Sequence, residues 1–165
     1  MPVLLLVLCL TLTITRPVAA ERWQQRVDYL IDVTLLDSLR SLAGTATITY
    51  HNNSPDTLSV LWFRLPPAAL RKGSVVSRSW QRGRRDRYES VPEEQWGDLR
   101  VDSARGVDRE VRFIQEGSLG RALLSPPLAP GDSTRFTLAF TTRFPTGAAR
   151  FRIACIDGQY RGAYW

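Results

Sequence analysis

Few side chains in this 165-residue chain could do chemistry. His51 is its one histidine. A hydrolytic zinc site needs two or three imidazole or carboxylate ligands on a rigid element, and a single imidazole cannot supply them. His51 stands in "TYHNN", at the end of an alternating run beside a turn signal, where a solvent-facing or hydrogen-bonded role is the simple reading. Ser118 lies in "EGSLG", but Glu116 occupies the place of the first glycine of a nucleophile elbow. Cys155 has no second histidine to activate it, and once Cys9 departs with the N-terminal apolar run it is a lone thiol, which reads as a small buried hydrophobe. Glu89, Glu93 and Glu94 sit in a basic stretch, as solvated acids do. Asn52-Asn53-Ser54 fits a glycosylation triplet, disfavoured by Pro55 immediately after it.

One cluster could bind rather than react. Arg78, Arg82, Arg84, Arg85 and Arg87 are interleaved with Trp80 and Tyr88. Arginine with aromatic rings can stack on a glycan or a polyanion. Asp86, Glu89, Glu93 and Glu94 neutralise much of that charge, so a solvated loop is the simpler expectation. Trp80, Arg84, Arg85 and Tyr88 are kept as its candidate contact surface.

The elements that must position these residues read as strands. In "RVDYLIDVTLLD", Val27, Tyr29, Ile31, Val33 and Leu35 alternate with polar residues, the pattern of a half-buried strand. In "GTATITYHN", Ala46, Ile48 and Tyr50 oppose a threonine face suited to the wet side of an antiparallel sheet. "NNSPDT" marks a turn. "LSVLWFRL" has apolar groups on both faces and reads as a strand covered on both sides, ended by Pro66 and Pro67. From Asp98 the segments "DLRVDS", "REVRFIQEG", "RALLSPPL" and "TRFTLAFTTRFP" continue the series, with "APGDS" as a hairpin turn. Residues 71–97 lack sustained periodicity and form a long surface loop. The expected fold is all-β: an antiparallel β-sandwich or saddle.

Residues 1–20 are expected to be a signal peptide. "PVLLLVLCLTLTI" is apolar, Arg16-Pro17 follows, and Val18 and Ala20 place small side chains at a cleavage site after Ala20. The apolar run is shorter than the ~20 residues needed to span a bilayer, so no integral membrane protein is expected after cleavage. The mature chain, 21–165, is then exported to the periplasm, the cell surface or the medium. One domain of this size buries ~68% of its unfolded surface and holds a core without disulfides. The formal charge is +6 with an isoelectric point near 10.0. Lys72 is the one lysine among 22 basic residues, and the arginines are spread along the chain. That distribution argues against a nucleic-acid partner, which selects for clustered charge.

The ordered combination of "YLIDVTL", "LAGTATITYHNNSPDTLSVLWFRLPPAAL", "LLSPPLAPGDSTRFTLAF" and the closing "DGQY" and Trp165 resembles the N-terminal β domain of the aminopeptidase-N-like zinc metallopeptidases. These are the gluzincins, the family that includes leukotriene A hydrolase, and the likeness is greatest to exported bacterial members. It covers Val27 to Trp165. The resemblance implies a saddle-shaped domain without zinc ligands, packed on a thermolysin-like catalytic domain and helping to wall its substrate cavity. Zinc and all catalytic residues would belong to that domain, so neither cofactor nor catalytic residue is expected here. Tyr164 stands where that subgroup carries glutamine. A chain ending on Tyr164 and Trp165 is expected to be truncated before its catalytic partner, with Tyr160, Tyr164 and Trp165 at the domain interface. The alternative is a stand-alone secreted β-sandwich that binds peptide, glycan or protein through the Arg78–Tyr88 loop.

Overall fold

The computed structural model describes residues 23–75, 78–79, 91–146 and 153–162. The expected signal peptide, the loop residues Trp80, Arg84, Arg85 and Tyr88, and the interface candidates Tyr164 and Trp165 lie outside them.

The architecture is all-β and antiparallel. Strands β1 (Arg26–Leu36), β2 (Ser41–His51), β7 (Ser133–Arg143) and β4 (Asp98–Gly106) form a four-stranded sheet in the order β1-β2-β7-β4. Strands β3 (Leu58–Arg64), β6 (Leu119–Leu128) and β5 (Glu110–Glu116) form a second sheet in the order β3-β6-β5. A hairpin, β8 (Ile153–Ile156) and β9 (Gln159–Gly162), stands apart.

Two-residue periodicity fixes the core. Tyr29, Ile48 and Phe136 lie opposite one another across β1, β2 and β7, and so share a face. On that face Ile48, Phe136 and Leu138 pack against Leu61, Val111, Ala122, Leu124 and Leu128 of the smaller sheet. Phe63 meets Phe113 and Phe136 in tilted and edge-on contacts at 5.8 and 6.1 Å, geometries that aromatic quadrupoles favour. A register shift between Val101 and Ser103 lets Val101 and Ala104 both pack on this core. The opposite face carries the threonines, with Thr47 and Thr137 hydroxyls 3.2 Å apart.

Turn chemistry joins the strands. Asn52 is fully buried. Its amide nitrogen donates to the carbonyls of Asp56, Leu128 and Ala129 at 2.8–3.2 Å. Its Oδ1 accepts from the Ser54 amide and hydroxyl. This one side chain ties the β2–β3 turn to the β6–β7 turn, and it leaves no free amide for a glycan. Gly117 at φ 60 begins the two-residue β5–β6 turn, which explains the "EGS" spacing around Ser118 structurally.

Two expectations need correction. The "LSVLWFRL" strand is not covered on both sides: Trp62 is 65% exposed, with the Arg121 guanidinium stacked 5.6 Å from its ring centre. Trp62 stands on the outer face of the smaller sheet, opposite the core side taken by Leu61, so it meets water. The alternating face of β1 is likewise largely uncovered, for a reason that concerns the candidate site.

Candidate functional site

The described groups that could do polar chemistry are placed apart. His51 Nε2 lies 3.1 Å from Asp28 Oδ2, and Arg26 pairs with the same carboxylate at 3.2 Å. The bond from Arg26 holds the Asp28 carboxyl below its ordinary value, opposed by slight desolvation and assisted by His51. A carboxylate already shared between a guanidinium and an imidazole on an exposed sheet face does not fit zinc. Among the described residues no three of His, Cys, Asp and Glu come together as a ligand group. Glu93 and Glu94 are exposed. Cys155 is buried with Phe144 and Ile153.

Tyr160, the described member of the interface candidates, is half-buried. Its ring packs edge-on against Phe144 at 5.1 Å, and its hydroxyl reaches Asp37 Oδ1 at 2.6 Å. It ties the β8–β9 hairpin to the turn after β1. The described ends of the 71–97 loop are anchored at one place. Arg71 binds Asp98 Oδ1 through Nε at 2.8 Å, and Trp96 is buried. The loop therefore leaves and rejoins the domain at neighbouring points.

What the structure does assemble is an apolar face. Four strands back onto three, and the smaller sheet runs out before it reaches β1. The sheets approach most closely at the β4–β5 side, leaving β1 to overhang. Tyr29, Ile31, Val33 and Leu35 therefore lie on the core side of their sheet with nothing described above them, at 57%, 46%, 39% and 46% exposure. Between this overhang and the end of β3 lies an open groove of about 320 Å³. Its walls include Tyr29, Ile31, Phe63, Leu65, Pro66 and Pro67, and its floor is the flank of the core at Ile48, Leu138 and Phe140. Even so partial a burial raises the Tyr29 phenol above its ordinary value.

No protein-family model matches the chain, and no curated protein does. Among solved structures the chain is similar to the crystal structure of a two-domain M1 zinc metallopeptidase, a mutant bound to L-arginine. The identity is 20% and the TM-score 0.41, over 75% of this chain and 21% of that one. This chain thus spans about a fifth of that protein's length.

A groove lined this way can take apolar side chains or a small apolar ligand. It offers no paired acid and base for a reaction. Sequence periodicity marks the β1 face as apolar. It does not reveal that the second sheet stops short, because that depends on how seven strands divide between two layers.

Proposed function

We propose that this β-sandwich is the non-catalytic N-terminal domain of an exported, zinc-aminopeptidase-like metallopeptidase. In this reading it packs on a catalytic domain and helps to wall its substrate cavity. The observation that carries the reading is the apolar face: a core layer and an open groove, continuous from Tyr29 to Leu35, with no second layer upon it among the described residues. Contiguous apolar surface of this kind marks a place where another folded body sits. The resemblance of residues 27–165 supports the identity of that body.

The test is biochemical. The purified 165-residue chain is expected to hold far less than one equivalent of zinc and to leave aminoacyl-nitroanilides intact. Immunoprecipitated from its native host, it should bring down both zinc and aminopeptidase activity. Stoichiometric zinc with turnover in the pure chain would overturn the proposal, and so would an immunoprecipitate lacking both.

A further inference from the structure

We propose that the free edge of β1 pairs with the same edge of a second copy of this chain, joining two four-stranded sheets into one of eight strands. The edge is distinct from the apolar face above. It consists of backbone N–H and C=O groups in the plane of the sheet, and pairing there leaves the face open to a covering domain.

β1 is the least protected edge of the sandwich. It pairs with β2 over all 11 of its residues without a bulge, and it contains neither proline nor lysine. The other edges are blunted. β3 and β4 carry register shifts. The Gln115 side chain occupies the edge of β4, accepting from the Val101 amide at 2.9 Å and donating to the Leu99 carbonyl at 2.8 Å. β5 has seven residues, with Glu110, Arg112 and Glu116 among them. Along β1 no described backbone group outside β2 takes up the strand. At ~3.4 Å per residue, 11 residues offer a ladder ~37 Å long. Long, regular, apolar edges are the ones that recruit another strand.

The sequence of β1 also selects a partner: its own antiparallel copy. A two-fold axis at Ile31 sets Val27 opposite Leu35, Tyr29 opposite Val33, and Ile31 opposite itself on the apolar face. On the other face it sets Arg26 opposite Leu36, Asp28 opposite Thr34 and Leu30 opposite Asp32. No like charges meet. Sliding by two residues one way brings Asp28 against Asp32 twice. Sliding the other way brings Asp32 against Asp32. Like charges directly opposite are destabilising. A one-residue slip would set the apolar face of one copy against the polar face of the other. A four-residue slip, with the axis at Tyr29, shortens the ladder. The two aspartates of the edge therefore fix its register.

The experiment is sedimentation of the full chain over a concentration series, with Cys9→Ser/Cys155→Ser as the background for cross-linking. The expected result is a reversible dimer. Leu30→Asp, which sets a second carboxylate opposite Asp32 on each side of the axis and on the face away from the groove, weakens association by at least about tenfold. Its circular dichroism and thermal melt stay those of the parent, because Leu30 is 73% exposed. Ile31→Cys forms an intermolecular disulfide under mild oxidation, and Tyr29→Cys does not. A chain that stays monomeric throughout overturns the proposal, as does an edge that takes up a different protein instead. A link through Tyr29→Cys in place of Ile31→Cys overturns the register. The deciding readouts are masses, so the loss of zinc or peptidase activity in the native complex would leave the result unchanged.

Discussion

At the scale of single residues, the decisive positions are polar groups inside an apolar frame. Asn52 satisfies three carbonyls from two turns and takes two donors from Ser54. A buried carbonyl left without its donor costs ~1–3 kcal/mol, whereas a formed bond contributes less than that in net terms. Asn52→Ala is therefore expected to destabilise by roughly 3 kcal/mol, a fall of about 6–12 °C in Tm for a chain of this length. Asn52→Asp should do no better, since it turns a carboxylate oxygen toward the same carbonyls. Differential scanning calorimetry checks both, and a shift under about 2 °C would show that water replaces the amide. Little of this was legible beforehand. "HNNSPD" announced a turn and a glycosylation triplet, but turn propensity is local, and two of the three carbonyls Asn52 serves lie 76 and 77 residues away.

At the scale of elements, the strands were largely legible and their surroundings were not. β1, β2 and β7 show two-residue alternation, which a strand imposes whatever lies above it, and each appears where the alternation places it. Cover is another matter. "LSVLWFRL" has apolar residues on both faces, yet Trp62 lies open beside Arg121, because an indole can be held by a stacked guanidinium as well as by a second layer. The β8–β9 hairpin shows how a small element is held by few contacts. The dipeptide "DG" carries its turn, with Asp157 and Gly158 at φ 49 and 74, as a tight hairpin turn requires. What pins it to the β1–β2 turn is the bond from Tyr160 to Asp37. That bond, then desolvation and the Asp37 charge, hold the Tyr160 phenol above its ordinary 10.0. Folding thus favours the neutral phenol. Its stabilisation is complete below the unfolded value near 10 and is lost as pH rises through the higher folded one. A phenolate difference titration of wild type against Tyr160→Phe is expected to show one group ionising later than a free tyrosine. In urea the stability gap between the two proteins should narrow above that range. A missing phenol with ordinary titration would mean that the hairpin is not tied at this point.

At the scale of the whole molecule, the sandwich is closed on one side and open on the other. At the β4–β5 side the two sheets approach closely. Beyond the end of β3 they part to form the groove, which crosses the larger sheet from Tyr29 and Ile31 of β1 to Leu99 and Val101 of β4. This asymmetry gives one substitution two different costs. Leu128 is fully buried and away from the groove; Leu138 is 5% exposed and helps to floor it. Replacing either by alanine removes the same atoms, so the transfer contribution is the same. The remainder of the cost is the void left behind, which grows by ~24 cal/mol per Å³ when the surroundings cannot relax. At Leu128 the void is sealed. At Leu138 it merges with space that water already reaches, and no new closed cavity forms. Leu128→Ala is therefore expected to cost about 4–5 kcal/mol and Leu138→Ala nearer about 3, the two ends of the range for such substitutions. Urea unfolding of the two variants at matched concentration measures the difference. Equal costs would mean that the groove closes in solution, and with it would go the open face on which the proposed packing of a second domain depends.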